Sequence, residues 1–447
     1  MAMDVWGVVL LNVTSLVSLT LFPAGASLGL STLFWDLAGV LGTILPAAYS
    51  VQHLLQECPS VYTLYDAVAH AGGETAGKFV VVCEWVNGMS FSVTMLQFTA
   101  LALAEALTHL GLPVSEDFAT SGWYLASAVV AQMVLLTGLQ MQNLDETMRW
   151  LLFLAAAGVL LPLVTLVVGS VTHGTMPPMH PHNTEGFFQP AAAAVMCGFG
   201  GIEVAAFHAK DSSPAAYQAA IGISAFLTIV MYALGQVSIA ALVPQGEIDM
   251  SRGAIQALRV ATGGSDIMFA ANCVLAAVGG LASALPWLHG PIQGMAQLAG
   301  QKEKTMIILQ NAFGACLGVI FLCTPSSAAF WWLLSISACM TQSLYLVIYV
   351  SCLVGKRRGR GDVLILIGIL TSSCGLLLDL RPPDGTGIKT KAFTPLILGV
   401  LSLVCLAAWA VPSKRAGCTP LILGAPEPLR ANSPLTADFT RNEAFQA

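Results

Sequence analysis

The chain has 447 residues, of which 56% are hydrophobic and only 9% charged, with a mean hydropathy of +0.76. Soluble globular proteins carry about 25% charged residues, so this composition excludes an ordinary water-soluble domain and points to an all-α polytopic membrane protein. The net charge of -6 is spread over span ends and loops, and nothing in it calls for nucleic acid as a partner.

The apolar runs are continuous rather than alternating, which argues against a β-barrel. Read against turn and charge signals, they predict about twelve spans near 5–30, 33–56, 78–108, 121–141, 149–172, 189–208, 215–243, 265–298, 305–323, 328–354, 362–380 and 393–411. Between the second and third spans, "ECPSVYTLYDAVAHAGGETAGK" reads as a short surface helix. "MPPMHPHN" after the fifth span reads as an irregular loop. "VPQGEIDMSRGAIQALRVATGGSD" after the seventh has room for short helices outside the membrane. The domain boundaries follow: a transporter-sized membrane domain over 1–412, made of 5–175, 189–354 and two further helices in 362–411. A near-neutral tail over 413–447 has no apolar run long enough to span, and its composition suits disorder.

An inside N-terminus places thirteen Lys and Arg on the inner side and five (Arg252, Arg259, Arg381, Lys389, Lys391) on the outer, which accounts for all 18. That asymmetry follows the positive-inside rule and puts both termini in the cytoplasm. "GKRRGR" after the tenth span is its strongest anchor, read as a topology signal. Asp4 before the first apolar run, with no basic segment ahead of it, argues against a cleavable signal peptide. Six of the 11 cysteines (Cys83, Cys197, Cys273, Cys316, Cys339, Cys405) lie in apolar runs without a CxxC pair, and read as small hydrophobes.

Two spans are interrupted. In "TSLVSLTLFPAG" of span one, Pro23 removes a backbone donor and clashes with the preceding turn. Ser15, Ser18 and Thr20 before it are placed to satisfy the freed backbone groups. In "MCGFGGIEVAAFHAKD" of span six, Gly198, Gly200 and Gly201 let the backbone leave the α region, and Glu203 follows about one turn beyond. Interruptions in the first and sixth spans match if the chain is two inverted five-helix repeats, and paired broken helices point to a transporter's midplane site. Small residues also permit close helix packing. A carboxylate inside a span costs at least about 2.5–3.5 kcal/mol, so a functional or paired role is the default for Glu203.

These stretches carry a resemblance. "LNVTSLVSLTLFPAGA", "GIEVAAFHAKD", "LVPQGEIDMSRGAIQAL" and "WLHGPIQGM" (Trp287 to Met295), with Tyr345 and Tyr349 one turn apart, are together similar to the amino acid/polyamine/organocation (APC) superfamily, particularly its glutamate/GABA antiporter-like branch. The similarity runs from about Leu11 to Gly355. It implies a LeuT-like fold of 5+5 inverted helices plus two, in a bacterial cytoplasmic (inner) membrane, working as an amino acid exchanger by alternating access. It also implies a substrate carboxylate held by N–H groups near Ser15, Ser18 and Thr20, and an α-ammonium held by carbonyls at Cys197, Gly198, Gly200 and Gly201. Half-helix termini carry the partial charges such zwitterion binding needs. Trp287 would serve as gate or core, and Tyr345 and Tyr349 would close over the substrate.

The chain departs from that branch at several points. An acidic position four residues before Trp287 is Ser283, the glycine of helix one is Thr14, and the basic residue after the first break is Thr20. The loop after helix eight shrinks to "AGQKEKTM". Span five, "WLLFLAAAGVLLPLVTLVVGS", lacks the lysine that some relatives place there. These differences leave the substrate's charge open and make glutamate no default.

Proton linkage is expected through Glu203 or Glu84, because desolvation in a bilayer favours the neutral carboxyl; a structural hydrogen-bonded pair is the alternative for Glu84. A sodium site from backbone carbonyls and Ser283 is a further alternative, and with it ion-coupled uptake in place of exchange. His173, His180 and His182 fit no regular metal-ligand spacing, so no metal or cofactor is expected. No clustered nucleophile and base suggest an enzyme, and no repeated pore motif or large outer domain suggests a channel or receptor. The expected partners are an amino acid substrate and the lipid bilayer, with the chain a monomer or homodimer.

Overall fold

The computed structural model describes residues 5–57, 63–112, 115–142, 144–179, 198–204, 206, 214–322, 326–355, 361–380 and 390–410. Among them all regular structure is helical. Span one is split into α1 (Val5–Leu16) and α2 (Phe22–Ala26). Span two runs through α3 (Thr32–Gly39), a π-helical segment Val40–Ile44, and α4 (Leu45–Glu57). There follow α5 (Leu64–Gly72), α6 (Glu74–His109), α7 (Glu116–Ala119), α8 (Gly122–Gln140) and α9 (Leu144–His173). Beyond span six come α10 (Pro214–Leu242), α11 (Gly253–Ala261), α12 (Asp266–His289), α13 (Ile292–Ala299), α14 (Glu303–Leu322), α15 (Ser326–Gly355), α16 (Asp362–Asp379) and α17 (Thr390–Ala410).

Ten helical stretches among the described residues are long and apolar enough to cross a membrane: 29–56, 74–109, 122–140, 150–173, 219–242, 266–299, 303–321, 329–355, 362–379 and 392–410. They match the second to fifth and seventh to twelfth predicted spans within a few residues. The protein is an all-α, multi-pass membrane protein. Most of span six, and the tail beyond Ala410, lie outside the described residues.

Packing separates the helices into centre and periphery. α6 and α15 are the most enclosed, and α6 packs along both α12 and α15. At 36 residues, α6 is about 54 Å long, well beyond a hydrocarbon core of about 30 Å. Its polar ends therefore reach past the bilayer. At one end Glu105 takes a 2.5 Å ion pair from Arg252, and Asp266 accepts from His109 (2.9 Å) and Arg259 (2.6 Å), tying α6, α11 and α12 together. At the periphery, α9, α16 and α17 turn Val164, Val171, Leu370, Leu377, Leu403 and Trp409 outward, as a lipid-facing surface requires. α9 and α12 meet through Gly158 and Gly279, where a Cβ on either would strike the other's backbone.

Two predicted details change. The segment read as a surface helix is α5, but Leu64, Tyr65, Ala67 and Val68 are buried against α6 and α15. Its polar residues mask an apolar face of four closely spaced side chains. Span eight is interrupted at Gly290 and Pro291, so "WLHGP" ends α12 and starts α13.

Candidate functional site

α1 stops at Leu16, and the chain resumes helical geometry only at Phe22, with Pro23 in the first turn of α2. Before the stop, Thr14 Oγ1 and Ser15 Oγ donate back to Leu10 O and Leu11 O, both at 2.7 Å. Such back-bonding weakens the helix. Within the break, the Ser18 and Thr20 hydroxyls bond each other. The hydroxyls thus do not serve the carbonyls that the break frees. Two aromatic donors from distant spans do so: Trp287 Nε1 donates to Ser15 O (3.0 Å) and Tyr232 OH donates to Leu16 O (2.9 Å).

Span six leaves helical geometry just after Gly198, and Gly200 and Gly201 lie in the non-helical stretch. Gly198, Phe199 and Gly200 are buried, and Gly201 has φ +120°, a region open to glycine alone. Cys197 lies outside the described residues. Gly201 N donates to Tyr345 OH (3.0 Å) and to Glu203 Oε2 (3.1 Å), and Tyr345 OH donates to that same carboxylate oxygen at 2.5 Å. Glu203 is fully buried, and among the described residues its Oε1 has no hydrogen-bond partner. It acts on its own break rather than a full turn beyond it.

The two breaks meet across Trp287. Its indole N–H caps α1, while its Cζ2 and Cη2 lie 2.8 Å from the point where a Cβ on Gly201 would stand. Phe91 packs edge-on against the same indole at 4.9 Å, and the Trp287 carbonyl closes on Gly88, where any Cβ would collide with it. Tyr232 makes a second bridge: its ring packs against Gly198, Phe199 and Phe22.

Ser15, Gly198, Gly201, Trp287, Glu203 and Tyr345 are therefore in one contiguous cluster. Ser18 and Thr20 face another way, onto a cavity of about 10 Å³ shared with Gly158, Gly280 and Ser283. That is room for about one water, not an amino acid. Glu84 joins the cluster indirectly: Asn87 reaches it at 3.5 Å and accepts from Ser337 at 2.6 Å, and its charge is near enough to Glu203 to interact. Tyr349 packs on Tyr345 with ring centres 6.0 Å apart.

Tyr232, Phe91, Asn87 and Ser337 escaped the sequence reading. Tyr232 carried a usable signal, being a hydroxyl-bearing aromatic in the middle of a predominantly apolar span. Among the described residues no group of three or more His, Cys, Asp or Glu is arranged to hold a metal ion.

A many-spanning helical bundle whose first and sixth spans are both interrupted, with backbone polar groups of the two breaks gathered around one indole and one carboxylate, is the architecture of a membrane transporter. A family model described as amino acid permease matches residues 3–415, and the chain belongs to that family. An uncharacterized transporter of Legionella pneumophila is 24% identical over 457 residues, an alignment covering 92% of this chain and 97% of that relative.

Proposed function

We propose that this transporter exchanges amino acids or closely related amines by alternating access, holding the substrate at the breaks of spans one and six. One observation supports the reading: the two breaks meet at Trp287, whose indole bonds the Ser15 carbonyl of the first break and whose ring packs on Gly201 of the sixth, where Tyr345 holds the N–H. A zwitterion offers the complementary pair. Its carboxylate would take N–H groups from the stretch containing Ser15, Ser18 and Thr20, and its ammonium would take carbonyls from Cys197 to Gly201. Trp287 and Tyr232 cap the carbonyls of Ser15 and Leu16 in the first break, and Glu203 and Tyr345 hold the Gly201 N–H of the sixth, so the chain's own residues pair the groups of opposite polarity to those the substrate would take. Tyr345 and Tyr349 gate the site, and Glu203, with Glu84 behind it, carries coupling or gating charge. The two five-helix repeats are inverted, the membrane is a bacterial inner membrane, and both termini are cytoplasmic.

Proteoliposome counterflow with a panel of labelled amino acids, run without ion gradients, tests the reading. Uptake that depends on internal unlabelled substrate supports exchange; uptake that needs only a proton or sodium gradient replaces it with symport. The symport reading has its own support in Ser283, whose hydroxyl lacks a hydrogen-bond partner beside the small cavity at Ser18 and Thr20. Gly200→Leu is expected to abolish counterflow while the protein remains folded in the membrane; unchanged counterflow would remove the break from the mechanism.

A further inference from the structure

A further buried carboxylate lies outside that cluster. Asp36 in α3 is 3% exposed, and with Thr32 of the same helix it faces Gln236 of α10; both of those are 1% exposed. No Lys, Arg or His pairs with Asp36 among the described residues. α10 supplies no charged group, and its titratable side chains are Tyr217 and Tyr232, the latter bonded to Leu16. α2 and the Gly29–Ser31 turn supply none. On span two itself the next titratable groups are Tyr49 and His53, and the first charged residue after α10 is Glu247.

The cluster has two self-consistent hydrogen-bond arrangements, one for each charge state of Asp36. With the carboxylate ionised, the Gln236 amide nitrogen donates to it, at 3.0 Å from Oδ2 and 3.1 Å from Oδ1. With Asp36 protonated, the amide turns over, and its oxygen accepts from both the carboxyl O–H and the Thr32 hydroxyl. The Thr32 hydroxyl can accept from or donate to the amide, so it bonds Gln236 in either orientation, and the Asp36 proton decides which way the amide points.

That amide rests on the outer half of span one. A Cβ added at Gly25 in α2 would collide with the Gln236 side chain, so the amide lies directly against the α2 backbone. On the other side, α3 passes into the π-helical segment Val40–Ile44 one turn after Asp36. Such insertions weaken the helical ladder and recur at functional sites. The group that reads the proton is therefore wedged between α2, which must move if span one gates the substrate, and a compliant stretch of span two.

We propose that Asp36 is a proton-binding site whose protonation turns the Gln236 amide and loosens α2. The ionised form, with charge-assisted bonds from the amide, holds α2 more firmly. The site itself stands independently of the substrate; its consequence for transport rests on the alternating-access reading above.

The test is hydrogen–deuterium exchange of the peptide covering Phe22–Ala26, in the full-length protein in phospholipid vesicles, at about pH 5 and about pH 8. After correction for intrinsic exchange, protection of this peptide is expected to be several-fold lower at the acid pH. Asp36→Asn is expected to collapse that difference. Gln236→Met, which keeps the side chain's shape and removes its polar atoms, is expected to do the same, and it decides the matter if Asp36→Asn fails to fold. Equal protection at both pH values in the unaltered protein overturns the proposal, as does a full pH difference surviving in a folded variant. Counterflow of the labelled amino acid panel in the same vesicles separates the two readings. Its absence removes the exchange reading and leaves the proton switch standing, and a pH-insensitive α2 with intact counterflow does the reverse.

Discussion

Replacing Gly201 by alanine probes the junction of the two breaks with the smallest possible change. Two costs arise from the geometry. A non-glycine residue at φ +120° is strained by about 1–3 kcal/mol. The new Cβ also stands 2.8 Å from Trp287 Cζ2 and Cη2 and 3.5 Å from Leu16 Cδ2, an overpacking cost of about 1–3 kcal/mol. Together they raise the described conformation by about 2–6 kcal/mol, enough to shift a two-state access equilibrium by more than about tenfold. The two costs separate in a double-mutant cycle. Trp287→Phe removes the ring atoms that would be struck, so it should return the steric share but not the backbone share, giving a coupling of about 1–3 kcal/mol. Thermal denaturation of the purified variants, followed by size-exclusion chromatography, reads the stability, and counterflow at fixed pH reads the transport. Gly198→Ala is the control: its Cβ would stand 3.0 Å from the Tyr232 ring without a positive φ, and it should cost less. A Gly201→Ala protein that melts and transports as the parent does, or strict additivity with Trp287→Phe, refutes the convergence of the breaks on that indole.

Other outcomes follow from the same contacts. Tyr232→Phe leaves the Leu16 carbonyl buried without its donor and should cost about 1–3 kcal/mol in thermal stability, while keeping the aromatic packing on Phe22 and Phe199. Glu203→Gln retains an acceptor for Gly201 N and Tyr345 OH but cannot change charge; counterflow should persist while its pH dependence is lost, and a pH profile that stays intact eliminates Glu203 as the coupling acid. Gly88→Ala drives a methyl into the Trp287 carbonyl, a backbone atom that cannot turn aside, so the yield of monodisperse protein should fall sharply. Arg252→Gln breaks a pair in which both side chains are 20% exposed, and should lower stability by no more than about 1 kcal/mol, less at high salt.

The spans were legible because a bilayer imposes a requirement that composition alone can display: about 20 apolar residues bounded by polar ones. Span five, with no ionisable residue from Trp150 to Thr172, could hardly be misread. The breaks were legible for a related reason, since Pro23 and the glycines at 198, 200 and 201 are local backbone signals. What caps the broken ends was not. Trp287 lies 272 residues from Ser15, and Tyr232 lies 216 from Leu16. No periodicity or spacing encodes such a pairing, and the nearby Ser15, Ser18 and Thr20 offered a plausible local answer that the fold does not use. α5 was misjudged for the opposite reason: its buried face is one short stripe among polar neighbours, too small to outweigh them in a sequence average.

The identity of those caps bears on how the proposed site would work. A carbonyl freed inside a membrane needs a donor in every conformation, because an unpaired one is costly where no water can reach it. Indole and phenol groups are suited to supply it, since each donates one hydrogen bond and buries a large apolar body. On the proposed function the substrate's ammonium would take carbonyls of the sixth break, while these aromatic donors keep the Ser15 and Leu16 carbonyls of the first break paired. Glu203 works in the mirror sense at Gly201, where its carboxylate accepts from an N–H in the sixth break. The polar groups that the two breaks free are thereby paired by the chain's own residues.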